Sequence, residues 1–330
     1  MPRQTRLDAP GTLHHMVGRG IEGAKIFRKD MDREDFLSRI GKLCQEGFLT
    51  AYAWSLMESH FHLLVRTGHQ PLSRSMRKLL TGYVINFNRR HKRFGHLFQN
   101  RYKSIVCEED PYLLELTRYI HLNPVRAGVV QDMRALSRYP WTGHSVLVGR
   151  VKREWQETDT ILGYFGKRRK VARVKYAEFV REGVAKGRRP ELVGGGLIRS
   201  LGGWAEVLSV RRKGSKVSSD QRILGSGEFV EDFLREVDER EKERRRLSVR
   251  VRDLGRVAEE LKRGEGLRES ELRSGRRQRK VSRGRRLFCQ LAVGKMGHSG
   301  AEVARFLGVT TSAVIRAAYS EELPELQKYL

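Results

Sequence analysis

The first 150 residues of the chain predict the α+β fold class, and the order of their periodic segments carries most of that prediction. Segments with strand-like alternation and segments with helical apolar spacing follow one another as β-α-β-β-α-β, and a further helix comes next. The second and third strands are close enough in sequence to form a hairpin. This order is typical of a ferredoxin-like domain, in which helices pack on an antiparallel sheet.

Each predicted element has its own local pattern. The strands lie in LHHMVGR (13–19), TAYAWSLM (50–57), HFHLLVR (60–66) and HLFQNRYKSIVC (96–107), and the helices in REDFLSRIGKLCQEG (33–47), SRSMRKLLTGYVINFNRRHKR (73–93) and PYLLELTRYIHLN (111–123). The last helix starts with Pro111 at a favourable first position, and Pro124 stops it.

Beyond residue 150 the chain is predicted to be mainly helical. We divide it into a helical extension (151–190), a linker with a charged helical region (191–285) and a C-terminal domain (286–330). The middle region contains a stretch rich in Gly and Ser (191–227) and a basic strip (273–286), which has eight Lys or Arg residues and no acidic one. Such a strip is typical of a linker or of a nucleic-acid contact, although many are only solvated.

The C-terminal domain has the pattern of a helix-turn-helix. One helix with apolar spacing ends at Gly308, and the next follows after a very short turn with a Thr cap. If this second helix reads DNA, Thr311, Ser312 and Arg316 lie on its DNA side. The alternative is an ordinary helical bundle used for packing, and the adjacent basic strip favours DNA binding.

The charge of the chain favours a polyanionic partner. The sequence has 66 Lys and Arg residues against 39 Asp and Glu, a formal net charge of +27 and a pI near 10.5. Neutralising phosphates releases condensed counterions and drives binding that does not depend on sequence. A ribosome-associated protein and a merely soluble basic surface are the alternatives, and nucleic acid is the better explanation.

The sequence does not favour a membrane protein or a disulfide-linked secreted one. No apolar run approaches the length of a spanning helix, and the N-terminal residues lack the apolar core of a secretory signal. Cys44, Cys107 and Cys289 are odd in number and widely spaced, so they fit free thiols in a reducing compartment. We therefore expect a cytoplasmic protein with no membrane partner.

Two histidines in one predicted strand form the strongest candidate site. His60 and His62 are separated by one residue, so both side chains point to the same face of the strand, while Phe61 points to the other face. Two imidazole nitrogens on one face can bind a single metal ion. Taken alone, however, paired histidines are often just polar residues on an outer face.

A tyrosine downstream strengthens this interpretation. Tyr119 and Asn123 are four residues apart in one predicted helix, so they occupy one helix face. A tyrosine hydroxyl can attack a phosphodiester whose charge a divalent cation neutralises. Asn123 can add an oxygen to the nitrogens of His60 and His62, and this mixed set suits Mg²⁺ or Mn²⁺, although imidazoles would also take zinc or nickel. Taken alone, Tyr119 would be a half-buried helix residue.

Four segments of the first half resemble those of a known family. They are PGTLHHMVGRG (10–20), WSLMESHFHLLV (54–65), INFNRRHKRFGHLFQNRYKSI (85–105) and YLLELTRYIHLNPVRAG (112–128). In order and spacing they resemble the HUH single-tyrosine transposases of bacterial insertion sequences, and within them the REP-associated branch. The resemblance implies that His60 and His62 are metal ligands, that Tyr119 is the nucleophile and that Asn123, which some relatives replace by Gln, is the accessory ligand.

The resemblance also implies an activity and partners. The family cuts single-stranded DNA through a covalent 5′-phosphotyrosine, and the free 3′-hydroxyl later attacks to rejoin strands without a nucleotide cofactor. Expected substrates are hairpin or repeat sequences, and the expected location is the bacterial cytoplasm, associated with the nucleoid. Some relatives share sites across a dimer and others act as monomers, so a homodimer stays open. The last helices resemble, more weakly, the DNA-binding domain of the bacterial replication initiator, which implies an added contact with duplex DNA.

Basic and aromatic residues in the same half suit a groove for single-stranded DNA. The basic candidates are Arg19, Arg89, Arg90, Arg101 and Lys103. Phe94, Phe98 and Tyr102 are interleaved with them, although some of these aromatics must fill the core. His15 is either a core residue or lies near the metal.

The sequence thus predicts a metal-dependent transposase that cuts and rejoins single-stranded DNA. The alternative is a domesticated, non-catalytic DNA-binding regulator, whose binding would be indifferent to Tyr119→Phe and to a chelator. A third and weaker alternative is an RNA-binding protein.

Overall fold

The computed structural model describes residues 7–187, 189, 192, 219–250, 254–274 and 278–329. The chain divides into two compact units, Met1–Leu234 and Arg235–Leu330. Most of the Gly- and Ser-rich stretch expected to connect domains lies outside the described residues. Within the described residues, no helix is both long and apolar enough to cross a membrane.

The first unit is built on one sheet. Its strands are β1 (Leu13–Arg19), β2 (Leu49–Leu56), β3 (His60–Thr67), β4 (Lys103–Cys107) and β5 (Ile223–Leu224). They are arranged in the order β2-β3-β1-β4-β5, and the pairs β2·β3, β3·β1 and β1·β4 are antiparallel. This is the order of the ferredoxin-like sheet, so the predicted α+β fold class is confirmed.

The edge strand β5 was not predicted. It pairs in parallel with β4 through Ile223 and Leu224, both fully buried, and continues a region that the sequence presented as a linker. Two residues are too few to give an alternation pattern, so no sequence signal was present.

The helices of the first unit follow the predicted order. They are α1 (Asp30–Gln45), α2 (Leu72–Arg90), α3 (Glu109–His121), α4 (Asn123–Arg126), α5 (Met133–Arg138), α6 (Gly143–Leu147), α7 (Asp159–Gly163) and α8 (Arg169–Ala185), with a 3-10 turn at Ile21–Gly23. The strand predicted over 96–107 is shorter than expected and begins at Lys103. The residues before it form a loop, in which Lys92 and Gly95 adopt positive φ angles of 48° and 81°.

The sheet has an apolar layer on each face. On one face α1 and α2 pack over Phe61, Leu63 and Val65 of β3. On the other face the core contains Leu64 of β3, Ile105 of β4 and the apolar residues of α3, α7 and α8. Since β3 is buried on both sides, its alternation decides which residues lie under α3.

Helix α8 is fastened to α3 by polar contacts. The guanidinium of Arg118 lies 4.2 Å from the ring centroid of Phe179 and donates to the Phe179 carbonyl at 3.4 Å. The buried hydroxyl of Tyr176 lies 2.7 Å from His121 Nδ1 and 3.1 Å from His144 Nδ1, which ties α8 to α3 and α6. These contacts fix the helix that carries Tyr119.

The second unit is helical. Its elements are the greater part of α9 (Gly227–Arg250), then α10 (Leu254–Glu265), α11 (Glu269–Leu272), α12 (Arg279–Cys289) with a π-helical continuation at Gln290–Lys295, α13 (Gly300–Leu307), α14 (Thr311–Ala318) and a 3-10 turn at Pro324–Tyr329. Its core also draws on residues before position 286, among them Leu261 and Leu272. The C-terminal part of the basic strip lies on α12, where Val281 and Leu287 are buried and Arg279 and Lys280 are exposed.

Helices α13 and α14 are joined by a tight turn. Ser299 caps α13 by accepting from the Glu302 amide, Gly308 ends it at a φ of 67°, and Thr310 caps α14 by accepting from the Ala313 amide. Thr311, Ser312 and Arg316 are exposed on α14. The local geometry is that of two capped helices separated by three residues.

A buried carboxylate joins the start of α1 to the end of α2. Asp32 is fully buried and accepts from the backbone amides of Arg28 and Lys29 at 2.9 Å each. The His91 Nε2 lies 2.9 Å from its Oδ2, and Arg90 pairs with it. Burial alone would raise the pKa of Asp32, but the hydrogen bonds from Lys29, Arg28, His91 and Arg90 lower it below its usual value.

We predict that Asp32→Ala lowers the free energy of unfolding by about 3–5 kcal/mol, because it leaves buried donors without their acceptor. Asp30→Ala is the matched control, since Asp30 has a side chain that is 76% exposed and pairs with Arg33 of the same helix. That variant should change stability by no more than about 0.5 kcal/mol. Urea unfolding followed by tryptophan fluorescence measures both, and equal effects would contradict the role given to Asp32.

Candidate active site

The candidate histidines lie on the face of β3 that α3 covers. In the register of the sheet, His62 is opposite Val17 and His60 is opposite Arg19 of β1. His62 is buried and His60 is half-buried, with their ring centroids 5.3 Å apart. The strand alternation expected from sequence therefore brings both imidazoles to one side of the sheet.

A third histidine joins them from β1. His15 is fully buried, and its Nε2 lies 3.0 Å from the Nδ1 of His62. The two rings are 5.3 Å apart between centroids and inclined by 24°. On its other side, the Nδ1 of His15 lies 3.3 Å from the Leu192 carbonyl oxygen. The sequence left His15 open between a core residue and one near the metal, and the structure places it beside His62.

Tyr119 of α3 meets the same cluster. Its ring lies edge-on to both His15 and His62, with centroid distances of 6.1 Å in each case. The guanidinium of Arg126 lies 5.2 Å from the Tyr119 centroid, and Arg126 also donates to the Tyr119 carbonyl at 3.5 Å. The side chain is half-buried, which leaves part of it accessible to a large substrate.

Asn123 lies just beyond the end of the tyrosine helix. The sequence places it on the same helix as Tyr119, but α3 ends at His121 and α4 begins at Asn123. Leu122 between them keeps helical dihedral angles, so the four-residue spacing still holds. The Asn123 amide nitrogen donates to the Ile120 carbonyl at 3.3 Å, which leaves the amide oxygen as the acceptor end of the side chain.

The imidazoles of the cluster are neutral at ordinary pH. Burial lowers the pKa of His15 to about 4, and burial together with Arg19 lowers that of His60 to about 4. Burial lowers the pKa of His62 well below its usual value, and His15, His60 and Arg19 lower it further. Neutral imidazoles keep a lone pair, which is the form that binds a metal ion.

Cationic side chains border the histidines. A cleft of about 300 Å³ is lined by Val17, Arg19, Gln99, Asn100, Tyr102 and Lys103. Arg19 and Lys103 are exposed, and both lie on the histidine side of the sheet by their strand positions. A second cleft of about 760 Å³ shares Gln99, Asn100 and Tyr102 with the first and continues to Arg77, Arg101 and the apolar side of α2.

The other predicted contact residues differ in their surroundings. Arg89 and Arg101 are exposed. Arg90 pairs with Asp32 and with Asp35 at 3.4 Å, so its charge is engaged within the fold. Among the aromatics Tyr102 is buried, Phe98 packs against the core, and Phe94 is 93% exposed.

The donor set can be tested for its fit to a divalent cation. His60 and His62 supply neutral nitrogens on one face, and Asn123 supplies an amide oxygen. In the part of the chain that the structure describes, no group of three or more His, Cys, Asp or Glu side chains is arranged to hold a metal ion. Mixed nitrogen and oxygen ligands with positions left for substrate and water fit such an ion, so the residues present are chemically suitable.

Part of the first unit matches a known protein family. Residues 11–123 match the model of the family described as "Transposase IS200 like". These residues form an IS200-like transposase domain. The match covers about a third of the chain and includes His15, His60, His62, Tyr119 and Asn123. The resemblance to transposases of bacterial insertion sequences is thereby confirmed for the transposase domain.

The solved structure described as "Structure of the REP associates tyrosine transposase bound to a REP hairpin" has 15% sequence identity and a TM-score of 0.37, and the match covers 48% of this chain and 98% of that chain. No curated protein matches the chain.

Buried histidines should make the first unit sensitive to mild acid. His14 and His144 lie away from the metal candidates, and burial lowers the pKa of each to about 4. As pH falls below about 6.5, the unfolded chain takes up protons that the folded chain refuses, so stability is full above that pH and is lost toward pH 4. Over this range each such histidine lowers the free energy of unfolding by about 1.4 kcal/mol for each pH unit of acidification.

We therefore predict a fall in the free energy of unfolding between pH 6.5 and 5.5, measured by urea unfolding with tryptophan fluorescence. All four tryptophans of the chain precede residue 235, so the signal reports on the first unit. His144→Gln should reduce the slope of stability against pH by the share of one histidine. An unchanged slope in this variant would contradict the assignment.

Proposed function

We propose that this protein is a transposase that cuts and rejoins single-stranded DNA through a tyrosine, at hairpin or repeat sequences. The observation that supports this best is the meeting of His60, His62 and Tyr119 on one face of the sheet, with ring centroids about 6 Å apart between His62 and Tyr119. The family match over residues 11–123 supports the reaction class.

In the proposed reaction the Tyr119 oxygen attacks a phosphorus of the DNA backbone. The Tyr119 hydroxyl gives up its proton as a bond forms between its oxygen and the phosphorus. The bond from phosphorus to the 3′ oxygen breaks, and the departing oxygen takes a proton to become a 3′-hydroxyl. The DNA remains attached through a 5′-phosphotyrosine, and a 3′-hydroxyl reverses the step to join strands. The number of phosphodiester-type bonds is conserved, so no nucleotide cofactor is required.

His60, His62 and Asn123 would hold a divalent metal ion, Mg²⁺ or Mn²⁺. When bound, it would withdraw charge from the phosphate oxygens and make the phosphorus easier to attack. The histidines would bind the ion as neutral ligands. Their low pKa values mean that protons do not compete with the metal ion for the ring nitrogens near neutral pH. Helix α3 contributes by presenting Tyr119 to the same face.

The proposed DNA path follows the two adjoining clefts. Arg19 and Lys103 would hold phosphates beside the histidines, and Arg101 would follow where the larger cleft begins. The exposed ring of Phe94 and the cation Arg89 lie along the loop and helix that border this region and would contact unpaired bases and backbone. Arg90 is left out of this interface because it binds Asp32 and Asp35.

The second unit would add a contact with duplex DNA. Thr311, Ser312 and Arg316 are exposed on α14, the second of two capped helices, and the exposed Arg279 and Lys280 belong to the same unit. This arrangement suits a helix-turn-helix whose second helix enters a major groove. Such a contact would hold the protein near the ends of an element while the transposase domain acts on a single strand.

The Tyr119→Phe variant tests the reaction class. Incubation with labelled hairpin oligonucleotides and Mn²⁺ should give a covalent adduct on a denaturing gel with wild type, and none with Tyr119→Phe or with a chelator. Tyr112→Phe is the matched control, since Tyr112 lies on the same helix seven residues earlier and should leave the adduct intact.

The regulator alternative predicts a different result in the same experiment. Hairpins would shift on a native gel equally with wild type, with Tyr119→Phe and with chelator present, and no adduct or nick would form with any hairpin or divalent metal. That outcome would overturn the proposed function and favour a domesticated DNA-binding protein. RNA competing better than DNA would favour the third alternative.

Two substitutions should separate the two DNA contacts and serve as controls for each other. Lys103→Ala should weaken binding to single-stranded hairpins and lower the salt dependence by about one phosphate contact, while leaving duplex binding unchanged. Arg316→Ala should weaken duplex binding by about 1–3 kcal/mol and leave hairpin binding unchanged. Fluorescence anisotropy over a range of salt concentrations measures both, and parallel losses on both ligands would contradict separate contacts.

A further inference from the structure

His15 has a contact pattern that a space-filling core residue does not require. Both of its ring nitrogens are engaged, Nε2 with His62 at 3.0 Å and Nδ1 with the Leu192 carbonyl oxygen at 3.3 Å. The side chain is fully buried, so water does not substitute for either partner. Leu192, His15 and His62 are therefore joined by a continuous line of hydrogen bonds, and this line ends at His62, one of the candidate metal ligands.

The Leu192 carbonyl decides which nitrogen donates and which accepts along this line, because a carbonyl cannot donate. A carbonyl oxygen only accepts, so the Nδ1 of His15 must carry the proton and donate to Leu192. A neutral imidazole has one N–H, so the Nε2 of His15 carries a lone pair and must accept from His62. The 3.0 Å separation of the two nitrogens is within the range of a hydrogen bond from the Nδ1–H of His62 to that lone pair.

We propose that His15 is a positioning residue that sets the tautomer of His62, so that the Nε2 of His62 presents its lone pair to the metal ion. The inference rests on the proposed function in one respect, namely that His62 binds a metal. It adds the reason why His62 binds through a defined nitrogen. His60 lacks an equivalent buried partner among its contacts in the described residues, where the Ser59 hydroxyl lies 3.3 Å from its Nδ1.

Neighbouring His14 supplies a matched control. It is the preceding residue of β1, it is equally buried, and its side chain points to the opposite face of the strand. Its Nδ1 lies 3.0 Å from the Ser104 hydroxyl rather than near His62. Substitutions at positions 14 and 15 thus remove the same side chain from the same buried strand, and only one of them touches the site.

The first readout is the tautomer itself, in the metal-free full-length chain labelled with ¹⁵N-histidine. Long-range ¹⁵N–¹H spectra distinguish Nδ1–H from Nε2–H rings, and a His62→Gln variant identifies the signal. Wild type, His15→Gln and His14→Leu should show His62 with its proton on Nδ1, because Gln keeps an acceptor. His15→Leu should move the proton of His62 to Nε2, wholly or in part.

The second readout is Mn²⁺ affinity, measured by electron paramagnetic resonance in the absence of DNA. His15→Leu should weaken it by about 10- to 100-fold, whereas His15→Gln and His14→Leu should stay close to wild type. A wild-type His62 with its proton on Nε2 would overturn the proposal even if neither His15 variant folded. So would a His15→Leu protein with unchanged tautomer and unchanged affinity. Neither readout involves cleavage, so a missing tyrosine adduct would count against the proposed function alone.

Discussion

The strict alternation of β3 is the constraint on which the rest of the first unit depends. The strand is covered on both sides, so each residue must suit one of two interiors. Phe61, Leu63 and Val65 fill the layer under α1 and α2, and this leaves His60 and His62 on the layer that α3 covers. A shift of the register by one residue would bury imidazoles among the aromatic rings of the first layer and expose phenylalanine to the tyrosine helix.

The polar cluster survives in this interior because its members satisfy one another. His15 bonds to His62 and to a carbonyl, and the Tyr119 ring packs edge-on against both imidazoles. Burial keeps the rings neutral, which removes the cost of enclosing charge next to Arg19 and Lys103. The cations stay at the exposed rim, where a polyanion can reach them.

Much of this arrangement could be predicted from sequence, and the failures have physical reasons. The order of elements and the common face of His60 and His62 follow from periodicity, which is a local property. The partnership of His15 with His62 depends on the register between β1 and β3, which no local pattern reveals. Arg90 looked like its basic neighbours, and only the fold shows that it binds a buried carboxylate. The strand β5 is too short to leave a pattern.

Helix α8 lies beyond the family match but packs in the same apolar layer as the tyrosine helix. The family match ends at residue 123, but Ala172, Tyr176 and Val180 belong to the same apolar layer as Leu116 and Ile120 of the tyrosine helix. The stretch that matches the family is therefore shorter than the stretch needed to bury the apolar layer around α3. A fragment cut at the end of the match would retain every candidate ligand and the tyrosine, yet would expose the outer side of α3 to water.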